Sequence, residues 1–147
     1  MPTITTQITI AAPAAAVWAE LERIEDHVHW MADAETIRFI GDQQRGAGTT
    51  FECVTRVGPL RTVDKMTITE WTEGSAMAVA HTGVVTGSGR FTLTPTGPSA
   101  TTLHWAEDLR LPRWALGQVG WLAAGPVLRR IWRGNLRRFA ARVEQRA

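Results

Sequence analysis

Apolar and polar residues alternate along seven short stretches of the sequence, as they do in β-strands that have one buried face. The first predicted strand is Thr3–Ile10, and two helical segments follow it, Ala14–Glu22 and Ile24–Met31. The other six strands are predicted at Glu35–Gly41, Thr49–Val57, Leu60–Trp71, Ser75–Thr82, Gly89–Pro95 and Thr101–Pro112. Glycine and proline separate these strands, and such short connections favour a sequential antiparallel meander.

After Pro112 the apolar residues recur every three or four positions, which predicts a long amphipathic helix. Gly125-Pro126 is expected to kink this helix or divide it in two, because proline removes one backbone hydrogen bond and clashes with the preceding turn. The order of elements predicts an α+β, helix-grip architecture, in which a curved antiparallel sheet of about seven strands wraps around the C-terminal helix.

The alternation also assigns each strand residue to a face of the sheet. The predicted inner face is mostly apolar, but Glu107 shares a face with Leu103 and Trp105, and Asp64 and His81 also point inward. Alanines at positions 76, 78, 80, 123 and 124 are expected to leave a pocket between sheet and helix. The predicted ligand-binding residues are Asp64, Met66, Ile68, Met77, Val79, His81, Phe91, Trp105, Glu107, Ala124 and Leu128.

Composition narrows the class of protein. The 147 residues suit one domain spanning positions 1–147, and the hydrophobic content of 44% is ordinary for a soluble globular protein. No apolar run approaches a membrane span and no signal-peptide pattern precedes the first strand, so a cytoplasmic location is predicted. Cys53 is the single cysteine, which excludes an internal disulfide. His27 and His29 are only two positions apart on a predicted helix and point in different directions, so neither a metal site nor a cofactor is predicted.

Charge is unevenly distributed, because nine arginines and one acidic residue, Glu144, follow position 109. A basic amphipathic helix can dock on an acidic partner or an anionic membrane. Its arginines nevertheless occupy the face opposite its own apolar side, as in any surface helix, so membrane contact is not favoured. No nucleic-acid-binding motif accompanies them, and no nucleic acid is predicted as a partner.

Several stretches resemble one known group of proteins. ITIAAPAAAVWAEL resembles the opening strand and Pro-started helix of the START-like (SRPBCC, helix-grip) superfamily, and HVHWM resembles the end of its second helix. TITEW followed by EGSAM is similar to its fourth-to-fifth strand hairpin. TGSGRFTLTPTGPSATTLHWAEDLRLP is similar to the last hairpin of the polyketide cyclase/dehydratase branch. The resemblance covers essentially the whole chain.

This resemblance implies a cavity between sheet and long helix that holds a small hydrophobic molecule, such as a lipid, a polyketide or an aromatic metabolite. The Rieske oxygenases of the superfamily are excluded, because a chain with one cysteine lacks their iron–sulfur ligands. The favoured function is binding of such a ligand. One alternative is a polyketide cyclase or dehydratase in which Glu107 and His81 act as general acid and base. The other is a docking module that uses the basic C-terminal helix.

Overall fold

One antiparallel sheet of seven strands is the largest element of the structure, a computed structural model that describes residues 3–110 and 118–146, with side chains for 3–110 and 125–146. The strands are β1 (Thr3–Ile10), β2 (Ala34–Phe39), β3 (Thr50–Val57), β4 (Leu60–Thr72), β5 (Ala76–Thr82), β6 (Thr86–Gly97) and β7 (Ala100–Arg110). Helix α1 (Ala14–Leu21) and a 3-10 helix (Ile24–His29) connect β1 to β2, and the long helix α2 (Gln118–Arg146) follows β7. This is the predicted helix-grip-like α+β fold.

The sheet order is β1-β7-β6-β5-β4-β3-β2, so each strand from β2 to β7 pairs with its neighbour in sequence, and β1 returns to pair with β7. Bulges or irregularities interrupt the register at three places: Ala34/Thr36, Ile68/Glu70 and Pro95/Gly97. Such bulges bend a strand locally and increase its twist, which helps a sheet curve around a helix.

Aromatic packing joins α2 to the sheet. Trp30 is 1% exposed, and its ring centroid lies 4.9 Å from that of Phe139 on α2 and 6.2 Å from that of Trp105 on β7. Trp105 in turn lies 5.2 Å from Trp132 of α2. At the other side of the core, Trp18 meets Trp71 edge to face at 5.3 Å. Trp18, Trp105 and Trp132 are therefore part of the core, and Trp71 packs against it.

A buried polar residue joins α2 to the segment between the 3-10 helix and β2. The Asn135 side chain is fully buried, accepts a hydrogen bond from the Ala32 amide at 2.9 Å and donates one to Asp33 at 2.8 Å. Nearby, Arg138 donates to the Trp30 carbonyl at 3.0 Å. Because a buried amide without partners is costly, this network favours a single docking register for the helix.

The structure corrects three details of the sequence analysis. Helix α2 is continuous across Pro126 and is not divided in two. Strand β6 begins at Thr86 and not at Gly89, since Thr86 already pairs with Arg110 of β7. The prediction that Ala76, Ala78 and Ala80 open the pocket is wrong, because these residues alternate with the cavity-lining positions of β5 and face away from the cavity.

Candidate ligand-binding site

A cavity of about 430 Å³ lies between the inner face of the sheet and α2. Alternate residues of the strands line it, as the period of a β-strand requires. Of the eleven predicted ligand-binding residues, Ala124 falls outside the described side chains. The other ten all line the cavity: Asp64, Met66, Ile68, Met77, Val79, His81, Phe91, Trp105, Glu107 and Leu128. Their role in binding a ligand stays a prediction.

The two ionisable residues proposed from sequence as an acid–base pair are in contact. His81 Nε2 lies 3.1 Å from Glu107 Oε2, and Trp105 Nε1 donates to Glu107 Oε1 at 2.9 Å. Both side chains are largely buried, with 12% of His81 and 7% of Glu107 exposed. The carboxylate therefore has one hydrogen-bonding partner on each oxygen and is held in one orientation.

His81 and Glu107 meet although their strands are not neighbours, because β6 lies between β5 and β7. On β6, His81 is opposite Gly87, and Glu107 is opposite Gly89. A Cβ atom at Gly89 would lie 2.4 Å from Glu107 Oε1, well inside van der Waals contact. The missing side chain at Gly89 thus opens a trough in which the imidazole and the carboxylate meet across roughly two strand spacings, about 10 Å. The motif TGSG, with glycine at every second residue, is a signal for this trough that the sequence analysis missed.

Asp64 lines the cavity but serves the fold. Its Oδ1 accepts hydrogen bonds from the amides of Val84 at 3.0 Å and Val85 at 3.4 Å, and its Oδ2 accepts one from Thr62 at 3.0 Å. The carboxylate also lies against Gly83, whose φ of 141° suits glycine and where a Cβ would meet it at 2.4 Å. Asp64 therefore holds the turn that joins β5 to β6.

His27 also lines the cavity, although the sequence analysis considered it only as a metal ligand. It is 5% exposed, and its Nε2 lies 2.7 Å from the carbonyl oxygen of Leu21. Burial lowers its pKa from 6.5 to about 4, against the opposing effect of the Leu21 hydrogen bond. At neutral pH His27 is therefore an uncharged imidazole. The signal for it was its three-residue spacing from Ile24, because side chains at i and i+3 eclipse in a 3-10 helix.

Nucleophilic and metal chemistry find little support in the described part of the chain. Cys53 lines the cavity, but burial raises the pKa of its thiol to about 11, so it is protonated at neutral pH. Among the described residues, no group of three or more His, Cys, Asp or Glu side chains is placed to hold a metal ion. The arrangement is suited to hydrogen bonding and to proton transfer through His81 and Glu107.

The basic face of α2 is partly used within the fold. Arg142 donates to Glu20 of α1 at 2.9 Å, and Arg146 lies 3.3 Å from the other oxygen of the same carboxylate, which is 4% exposed. Among the described residues, no helix is long and apolar enough to cross a membrane. Docking through this helix stays a prediction.

Comparisons with known proteins agree with the fold. A family model described as polyketide cyclase/dehydrase and lipid transport matches residues 1–144. No curated protein matches the sequence. Among solved structures, the Zhui aromatase/cyclase from a Streptomyces species has a TM-score of 0.83 and 16% identity, over 99% of this chain and 94% of that one.

Two further structures are similar. Protein TTHA0849 from Thermus thermophilus has a TM-score of 0.79 at 15% identity, over 99% of both chains. A START superfamily protein from Mycobacterium smegmatis has a TM-score of 0.68 at 15% identity, over 98% of this chain and 95% of that one. At such identities the likeness concerns the fold alone. Because the family model matches almost the whole sequence, the chain belongs to the family described as polyketide cyclase/dehydrase and lipid transport.

Proposed function

We propose that this protein binds a small hydrophobic molecule in the cavity between the sheet and α2. The observation that carries the proposal is a cavity of about 430 Å³ with a mostly apolar lining and a few fixed polar groups. Small-molecule sites typically have volumes of roughly 300–1,000 Å³ and this kind of lining. The family is one of polyketide cyclisation and lipid transport, which agrees with a hydrophobic ligand.

Affinity would come mainly from burying the apolar surface of the ligand against side chains such as Met66, Ile68, Met77 and Phe91. The polar groups would set its orientation. Leu60 and Val127 line the cavity and are about half exposed, at 54% and 50%, so the cavity is open to solvent beside them.

A cavity-filling variant tests the proposal. Val79→Phe adds a ring to the lining, whereas Val63→Phe makes the same substitution at a position that is 45% exposed and does not line the cavity. The neutral fluorophore N-phenyl-1-naphthylamine should bind the native protein and the Val63 variant equally. It should bind the Val79 variant at least about tenfold more weakly. Equal binding to all three proteins would mean that the fluorophore does not enter this cavity.

A second candidate function, cyclisation or dehydration of a polyketide, is favoured by the His81–Glu107 contact at 3.1 Å. The pair faces the cavity, where one group could remove a proton next to a substrate carbonyl and the other could protonate the departing oxygen. Similarity in fold to an aromatase/cyclase is compatible with this reaction.

Turnover separates the two candidates. A poly-β-ketone surrogate should be converted by the native protein if it is an enzyme, and a variant carrying both His81→Gln and Glu107→Gln should lose conversion while it still binds the fluorophore. Native protein that binds the surrogate and returns it unchanged would leave ligand binding as the function.

A further inference from the structure

Among the side chains that the structure describes, the charged ones that line the cavity are all acidic. They are Asp33, Asp64 and Glu107, and no lysine or arginine among the described residues lines it, although the whole chain has a net charge of +2. Each carboxylate already accepts hydrogen bonds from the protein. Asp33 is bound by Asn135, Asp64 by the β5–β6 turn, and Glu107 by Trp105 and His81. The cavity therefore presents negative charge with no described cation to balance it.

The two imidazoles of the lining use their N–H groups on the protein. A carbonyl oxygen can only accept, so the contact of 2.7 Å between His27 and Leu21 places the proton on His27 Nε2. A carboxylate can also only accept, so the contact of 3.1 Å places the proton of His81 on Nε2. In a neutral imidazole the other nitrogen, Nδ1, then carries a lone pair. Among the described residues, the structure gives a hydrogen-bond partner to each Nε2 and to neither Nδ1.

These two features favour one class of ligand. A carboxylate or phosphate inside the cavity would lose its hydration, meet three like charges in a medium of low dielectric constant, and find lone pairs on both imidazoles. A hydroxyl or ammonium group would supply the hydrogen that each Nδ1 can accept. We propose that the cavity selects hydrophobic ligands whose polar groups are hydrogen-bond donors, either hydroxyl or ammonium, and excludes those with an anionic head. This inference rests on the proposed function, because it concerns the same cavity.

A series of ligands with the same chain tests the inference: decanol, decylamine, 2-decanone and decanoate, each displacing N-phenyl-1-naphthylamine at neutral pH. Because the apolar part barely changes, differences in displacement report the polar end. Decanol and decylamine should displace the fluorophore at concentrations at least about tenfold lower than decanoate, and decanol should surpass 2-decanone, which only accepts. Decanoate as effective as decanol would overturn the inference while leaving ligand binding intact. Failure of the fluorophore itself to bind would instead contradict the proposed function.

A single variant should reverse the preference. In Glu107→Gln, the amide oxygen still accepts from Trp105, so its NH₂ faces His81 Nε2 and moves the imidazole proton to Nδ1. His81 then donates into the cavity, which has also lost one negative charge, and 2-decanone and decanoate should each gain about fivefold relative to decanol. Glu52→Gln, a matched change at an exposed residue paired with Arg38, should keep the native order.

A second measurement does not depend on any variant. Nitrogen-15 NMR of the histidine side chains in the native protein should show His27 as an uncharged Nε2–H imidazole at neutral pH, and His81 with Nε2–H donating to Glu107. An Nδ1–H tautomer or an imidazolium at either residue would overturn the inference, because that nitrogen would then donate.

Discussion

Protonation of His27 should be a large contributor to acid destabilisation of this protein. The residue is 5% exposed, and burial lowers its pKa from 6.5 to about 4. Between pH 4 and pH 6.5, His27 therefore binds a proton in the unfolded chain but not in the folded protein. The His27 contribution to stability is fully present above pH 6.5 and is lost as the pH falls towards 4. About 2.5 pH units at about 1.36 kcal/mol per unit give a loss of about 3 kcal/mol.

Urea unfolding of the native protein and of His27→Phe, at a series of pH values from 7 to 4, isolates this effect. Phenylalanine retains a ring against Trp30 and Phe91 but does not titrate, so the carboxylates that titrate in the same range affect both proteins alike. The variant should be less stable at pH 7, because the Leu21 carbonyl loses its partner, at a cost of about 1–3 kcal/mol. Over the whole range it should then lose about 3 kcal/mol less than the native protein does.

A matched control is available two residues further along the same 3-10 helix. His29 is 59% exposed, so His29→Gln should not show the reduced loss of about 3 kcal/mol that is expected for the His27 variant. If the native protein and the His27 variant lose stability in parallel between pH 7 and pH 4, then His27 is not buried as a neutral imidazole. A charged His27 would also lack the lone pair on Nδ1 on which the proposed ligand preference depends.

Three further predictions concern the residues that shape the cavity. Gly89→Ala should displace the Glu107 carboxylate and lower the free energy of unfolding by about 1–3 kcal/mol, as measured by urea unfolding. Gly97→Ala on the same strand has open space around the new methyl group and should be near neutral. Equal losses of stability in the two variants would contradict this prediction. Asp64→Ala removes the acceptor for two turn amides and should lower the free energy of unfolding by about 2 kcal/mol. Amide hydrogen exchange should become faster in the β5–β6 turn and not elsewhere. Unchanged exchange in this turn would contradict the role of Asp64. Cys53, with a thiol pKa of about 11, should react with iodoacetamide far more slowly in the folded protein than in the unfolded chain. Bound N-phenyl-1-naphthylamine should slow the reaction further. A rate equal to that of the unfolded protein would show that the thiol is not buried.

The cavity lining could be predicted from sequence because strand side chains alternate with a period of two and no bulge interrupts this alternation before the predicted lining residues. On β4 the register shift lies between Ile68 and Glu70, beyond the last predicted lining residue, Ile68. On β6 it lies after Pro95, beyond Phe91, and β7 pairs without a shift along Trp105 and Glu107. A bulge before any of these residues would have reversed the predicted faces.

Other parts of the site depend on geometry that alternation does not contain. Spacing alone does not identify His27 as a lining residue, since residues 24 and 27 lie near one another on either kind of helix and spacing does not say what that face contacts. In the observed 3-10 helix they share one face and both line the cavity. Whether Pro126 divides α2 was equally undetermined, because packing of its apolar face against the sheet stabilises a continuous helix despite one lost hydrogen bond.

The contact between His81 and Glu107 cannot be predicted from strand alternation alone. Alternation places each residue on the inner face, but two residues on strands separated by a third strand normally have that strand's side chains between them. Here glycine at 89 removes the obstruction, and β6 lies between the two strands because the meander orders them so. Gly89, the imidazole and the carboxylate therefore form one unit spread over three strands. A side chain introduced at position 89 should separate His81 from Glu107 although neither of these residues is mutated. NMR of the His81 ring would detect the loss of its hydrogen-bonding partner.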